Sequence, residues 1–171
     1  MALLDPPQLQ LAHSDFALTT WRNSFIQVWR NNPIESHTRA MRDAGKRFLA
    51  AQKGNVVALI VVEKTCPIPG SDARVHSVAF LKDLHGRADI VALVFEGEGF
   101  RAAASRATMV TLMTAARVPF PYHVSATVAE AEQHLLRKVI SPGLASSRGQ
   151  LVDAVEWSRG KIAAATQVAA R

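Results

Sequence analysis

The chain has 171 residues, 49% of them hydrophobic and 20% charged, which supplies the core of one domain and argues against a disordered chain. Its formal charge of +6 is uneven: residues 15–53 hold seven Lys/Arg against three acids, and residues 137–171 hold six against two. Such a surface can attract an acidic protein, nucleic acid or anionic lipid, but no basic cluster interleaves with aromatics and no nucleic-acid motif occurs, which argues against nucleic acid.

The single cysteine, Cys66, excludes an intrachain disulfide. With no signal-peptide pattern in residues 1–14, the expected location is cytoplasmic. The longest apolar runs, 56–62 and 90–95, are too short to span a bilayer, so no membrane association is expected.

In chain order, residues 1–14 carry a Pro-Pro pair and are expected as an irregular arm. Segments 15–21 and 24–30 are rich in aromatic, Thr and β-branched residues around Arg22-Asn23, which predicts a hairpin with a two-residue turn. Asn32-Pro33-Ile34-Glu35 predicts a helix start with Asn32 as N-cap and Pro33 as the first helical residue. Ile34, Met41 and Phe48 then mark one helical face and Arg39, Arg42 and Lys46 another, with Gly54 as the stop. Residues 56–63 form a continuous β-branched strand, followed by the loop KTCPIPG (64–70). A helix starting near Ser71 or Asp72 carries Val75, Val78, Leu81 and Leu84 and stops at Gly86.

Residues 88–96 are the next strand, which breaks at Gly97-Glu98-Gly99 into a helix over 100–117. Pro119 and Pro121 bracket the approach to a last strand at 122–125. Thr127 and Glu130 predict a capping box for a helix carrying Val128, Ala131, Leu135 and Leu136. Residues 141–149 are expected as a linker, and 151–165 as a final helix with Leu151, Val155 and Ile162 on one face. The order β-β-α-β-α-β-α-β-α predicts an α/β domain over 15–140, with a mixed, mostly parallel sheet of about five strands and helices packed on it. The arm 1–14 precedes it, and the linker and C-terminal helix, 141–171, follow.

Gly97-Glu98-Gly99-Phe100-Arg101-Ala102 formally fits a phosphate-binding G-x-G-x-x-A turn. Glu98 places a carboxylate where the anion would sit, and residues 117–122 contain no acid for a ribose, so the glycines are expected to serve the turn itself. Arg101 and Arg106 oppose the dipole of the helix they begin, which predicts a local charge network with Glu96 and Glu98. The helix is apolar or small on nearly every face (Ala102, Ala103, Ala104, Ala107, Met109, Val110, Leu112, Met113). It is therefore expected to be buried, or covered by the C-terminal helix or a second subunit. Cys66 follows a buried strand beside Lys64 and is expected as a small, partly buried residue; the alternative is a thiol of lowered pKa with His76, on the next helix, as its base. The six histidines have no metal-ligand spacing and no G-x-S-x-G elbow occurs, so no metal, cofactor or hydrolase triad is expected.

The element order, the buried strand 56–62 running into a helix-capping loop, and the closing segment PYHVSATVAEA together resemble the STAS and STAS-like family of anti-sigma factor antagonists, over roughly residues 15–140. The resemblance implies a small cytoplasmic bacterial interaction module that binds a kinase-type regulator. It also implies phosphorylation of a Ser or Thr at the helix start after the third strand. Ser71, followed here by Asp72, is the nearest equivalent of that phosphosite, although the family's D-S-S-G-L-type motif is missing; as a plain residue Ser71 is expected to be the N-cap of its helix.

The expected function is a non-catalytic regulatory or scaffolding module in a bacterial signalling pathway. Its protein partner, acidic in one version, would meet Thr65, Cys66, Ser71, Asp72, Arg74, Glu98, Phe100 and Arg101, and the chain itself is expected to form a homo-oligomer. The alternative is a small-ligand binder or enzyme using Cys66, His76 and Arg101. A further alternative is a roadblock-like dimeric scaffold, whose sheet would be antiparallel.

Overall fold

The computed structural model describes residues 5–115, 117–138 and 149–169. The β-branched and aromatic runs form strands β2 (Phe16–Trp21), β3 (Ser24–Trp29), β4 (Val56–Val62), β5 (Ala88–Phe95) and β6 (Tyr122–Ser125), as the sequence pattern predicts. A sixth strand, β1 (Gln8–Ala12), lies within the expected irregular arm and pairs antiparallel with β2. Its alternation Gln-Leu-Gln-Leu-Ala is a strand signal that the preceding Pro6-Pro7 obscures, and in the structure Leu9 is exposed while Leu11 and Ala12 are half-buried. The arm is anchored further where the Trp21 indole N–H donates to the Asp5 carbonyl (2.7 Å) and Pro7 is buried.

The strands lie in sequence order, β1-β2-β3-β4-β5-β6. The first three are antiparallel, and β3 to β6 are parallel. The architecture is thus α/β with a mixed sheet, parallel in three of its five pairings. The antiparallel sheet of a roadblock-like scaffold is not the one found.

The helices are α1 (Glu35–Ala51), α2 (Ser71–Asp83), α3 (Gly99–Ala115), α4 (Val128–Lys138) and α5 (Gln150–Ala169). Right-handed crossovers in a sequentially ordered parallel sheet place every crossover helix on one face. Accordingly α1, α2 and α3 cover the face formed by Phe25, Trp29, Ala58, Val91 and Leu93. The helices after β6, α4 and α5, cover the opposite face of Ile26, Val28, Leu59, Val61, Ala92 and Val94. Both faces are dry, which is why β4 and β5 are continuous apolar runs. Among the described residues, no helix is long and apolar enough to cross a membrane.

Three helix boundaries differ from expectation. Asn32 does not cap α1: it takes a left-handed backbone (φ 38°), its carbonyl accepts the Ile34 N–H (2.8 Å), and the helix starts at Glu35 with Ile34 as N-cap. The helix α2 is capped by Gly70, so Ser71 is its first helical residue and not the cap. The helix α5 extends over Gln150–Ala169, and most of the expected linker lies outside the described residues. The capping box of α4 forms with a shifted second bond: Thr127 Oγ1 accepts from the Glu130 N–H (3.2 Å), and Glu130 accepts from the Ala126 N–H (2.9 Å).

Two contacts fix the helices to each other. A Cβ built at Gly45 of α1 would lie 2.5 Å from the Phe80 ring of α2, so the absent side chain is what lets Phe80 wedge between α1 and Phe25. On the other face, Glu132 of α4 is 2% exposed, and its two carboxylate oxygens accept from the Gly149 and Leu151 N–H groups, both at 2.8 Å. A carboxylate on α4 therefore caps the N-terminus of α5, where the helix dipole favours it. Glu132→Ala is expected to lower unfolding stability by about 2–4 kcal/mol, because the buried Leu151 N–H and the partly buried Gly149 N–H lose their acceptor. Glu132→Gln, which keeps one acceptor oxygen, should lose less. Denaturant melts of the two variants check the order.

Candidate functional site

The carboxyl ends of β3, β4 and β5 form one edge because their register is continuous: Trp29 pairs with Val62, and Val62 with Phe95. The next residue of each strand is charged, giving Arg30, Glu63 and Glu96 in a row. The ladder continues beneath them, with the Glu63 N–H donating to the Trp29 carbonyl (2.8 Å) and the Glu96 N–H to the Val62 carbonyl (2.9 Å). Strand alternation gives these three positions the phase of Val28, Val61 and Val94, the face that α5 covers.

Arg159 of α5 completes the row. The Arg30 guanidinium donates to both Glu63 oxygens (2.8 and 3.2 Å), while Arg159 donates to Glu63 (3.0 Å), Glu96 (2.6 Å) and Glu156. Burial alone would lower the Arg159 pKa, but hydrogen bonds to Glu96 and Glu156 outweigh it and raise the pKa. The result is a chain of alternating charges, Arg30–Glu63–Arg159–Glu96, in which each carboxylate is held by an arginine.

Beside this row is a cleft of about 220 Å³, bounded by Val62 and Phe95, by Cys66 and Ile68 on the loop after β4, and by Ala102 and Ser105 of α3. It is smaller than the roughly 300–1,000 Å³ of typical small-ligand sites. The two loops touch: a Cβ on Gly97 would lie 3.4 Å from that of Lys64. Gly97 (φ 119°) and Gly99 (φ 79°) both adopt the left-handed region that glycine permits. Arg106 closes the turn by donating to the Phe95 carbonyl (2.9 Å) and the Gly97 carbonyl (3.4 Å). The expected network of Arg106 with Glu96 and Glu98 is therefore replaced: Arg106 binds main-chain oxygens and Glu96 binds Arg159.

Of the residues singled out by sequence, Cys66 and Glu98 line this cleft, and Phe100 lies between Glu98 and Ala102, which also line it. Phe100 is 91% exposed. Thr65 donates to the Arg30 carbonyl (2.8 Å), tying the loop to the end of β3. Ser71 and Asp72 are exposed and joined by a hydrogen bond (3.2 Å), and Arg74 is exposed one turn further along α2. The side chain of Arg101 lies outside the described residues. His76 does not serve as the cysteine's base: its Nε2 approaches Glu35 of α1 (3.6 Å).

Burial, with Glu63 and Asp15 adding repulsion, pushes the Cys66 thiol up to about 12, so it is protonated at neutral pH and is a poor nucleophile. Sequence reasoning missed Glu63 and Arg159 as partners. The available signal was a charged residue in the same phase at the end of three successive strands. A comparison with protein-family models and with curated protein sequences finds no match to this chain.

Cys66 should react with iodoacetamide at pH 8 about a thousandfold more slowly than an unperturbed thiol, as its thiolate fraction dictates. Because its folded pKa lies above the unfolded value, its contribution to stability is complete below about pH 8.5 and is lost as pH rises towards about 12. Cys66→Ala should flatten that part of the alkaline stability profile. Arg159→Met should cost about 1–3 kcal/mol in a urea melt, since Glu96 loses its arginine while Glu63 keeps Arg30.

Proposed function

We propose that the chain is a non-catalytic protein-binding module that docks its partner on the edge between Ile68 and Phe100. The observation that carries this reading is the exposure of these two side chains: Ile68 at 74% beside the cleft and Phe100 at 91% at the start of the helix forming its other wall. Large apolar side chains next to a cleft are what interfaces use as anchors, and aromatics dominate such anchors. Lys64, Asp72, Arg74 and Glu98 are exposed on the same two loops and helix starts and would supply the polar rim. The basic excess of the chain favours an acidic partner surface.

The chemistry of the edge supports binding over catalysis. Glu63 and Glu96 are held by arginines and the Cys66 thiol is protonated, so these groups are not poised as a general base or a nucleophile. The STAS-like reading is supported by the sequential winding of β3-α1-β4-α2-β5-α3-β6. On that reading Ser71 is the switch residue. It is exposed at the first position of α2, where a phosphate would be favoured by the helix dipole.

Both anchors are exposed, so Phe100→Asp and Ile68→Asp should leave the melting temperature nearly unchanged. In affinity capture from the native organism the double variant should lose the proteins that the wild type retains, and Ser71→Asp should change the amount captured. Light scattering across a concentration series tests whether a second copy is the partner. An identical captured set and an identical mass for wild type and double variant would rule the edge out.

A further inference from the structure

We propose that His13, Asp15 and His37 form a binding site for a divalent late first-row cation of the zinc type, at the same end of the sheet as the charged edge. Sequence spacing conceals this group. His13 follows β1, Asp15 precedes β2, and His37 lies in the first turn of α1. Since β2 runs antiparallel to β3, its beginning lies beside the end of β3, where the Asp15 carbonyl accepts the Arg30 N–H (2.8 Å). The carboxyl ends of parallel strands are where α/β folds place ligands.

One ligand atom from each residue lies within 4.8 Å of the other two. Asp15 Oδ2 is 3.5 Å from His13 Nδ1 and 3.8 Å from His37 Nδ1. Both distances are too long for good hydrogen bonds, which cluster near 2.9–3.0 Å. They are close to the roughly 3.3–3.6 Å that separates ligand atoms held about 2.0–2.2 Å from one tetrahedral ion.

His13 Nδ1 accepts the Asp15 main-chain N–H (3.2 Å) and lies 3.3 Å from Ser14 Oγ, so coordination at that nitrogen replaces the bond from Asp15. His37 Nδ1 faces the Asn32 carbonyl (3.0 Å), which accepts its N–H in the metal-free protein. Loading moves that proton to Nε2, and the Asn32 carbonyl keeps the Ile34 N–H as donor (2.8 Å).

The rings are held in place by aromatic contacts, His13 and His37 lying 5.5 and 5.0 Å from the Phe16 ring and 4.4 Å from each other. Asp15 and His37 are 17% and 14% exposed, and His13 is 46% exposed, which leaves a route for the ion. Two imidazoles and one carboxylate suit zinc, cobalt or nickel better than magnesium or calcium. Three protein ligands leave a coordination position open to water or to a donor from a bound partner.

The test is titration of the full chain with cobalt(II) chloride, followed by its visible d–d bands, and with zinc chloride, followed by the melting temperature. The expected result is one equivalent of cobalt in a distorted tetrahedral field and a melting temperature that rises with zinc. His13→Gln and Asp15→Asn should each weaken binding by at least about tenfold. His85→Gln, at the opposite end of the sheet, and His134→Gln, which breaks the stacked His123–His134 pair (3.8 Å), should bind as the wild type does. Circular dichroism without metal identifies any variant that fails to fold, and the exposed His13 provides the substitution least able to do so. Absence of cobalt binding to the wild type overturns the site. So does binding that survives His13→Gln and Asp15→Asn, or that is lost only with His134→Gln.

Discussion

A parallel sheet wound in sequence order can cover only one of its faces with its own crossovers. Right-handed connections send α1, α2 and α3 to the same side, leaving the other face, with Ile26, Leu59, Val61, Ala92 and Val94, for later chain to bury. That makes α4 and α5 part of the core and not an appendage. The contacts that hold them are specific: Glu132 caps α5 from α4, and Thr19 of β2 meets Ser158 of α5 through buried hydroxyls at 2.8 Å. The expectation that the C-terminal helix covers α3 fails for the same reason, since the two helices lie on opposite sides of the sheet.

The same constraint explains the charge row. A strand end that alternates in phase with a buried face must place its last polar residue under whatever covers that face. Arg30, Glu63 and Glu96 therefore come up against α5, and Arg159 is the residue that makes their burial tolerable. An unpaired carboxylate at that depth would be costly, whereas alternating charges with short hydrogen bonds offset much of the desolvation. The row ties the last helix to the ends of three strands and so sets the shape of the neighbouring cleft.

Element identity was legible in the sequence wherever one strong signal governed it. The apolar runs of β4 and β5, the two-residue turn at Arg22-Asn23 and the Thr127–Glu130 box all formed. The strand β1 was missed because Pro6-Pro7 outweighed a five-residue alternation. The start of α1 moved because Asn32 uses its carbonyl in a tight turn, with a left-handed backbone, instead of its side chain as a cap. What could not be read from spacing was any grouping that depends on topology. Arg30, Glu63, Glu96 and Arg159 span 130 positions of the numbering, and the proximity of His13 to His37 follows from the antiparallel return of β2 beside β3. Cys66 was legible as a small, partly buried residue after a buried strand, and burial with two nearby carboxylates keeps its thiol protonated at neutral pH.

The helix α3 remains the place where local pattern and tertiary packing disagree. Its sequence is apolar enough for a buried helix, yet it packs over β5 and β6 near the short end of the sheet, and Phe100, Ala103, Ala107, Val110, Thr111 and Thr114 are exposed. These positions recur at three- and four-residue intervals, so they form one stripe along the outer face. A purely solvated helix face gains nothing from lacking charge, and a core face would not be exposed. The stripe runs into Phe100 beside the cleft, which makes the helix and the charged edge two sides of one surface. Glu63 and Glu96 of the arginine-held row border the same cleft as Ala102 and Ser105 of the helix, and burying the uncharged stripe would desolvate no charge.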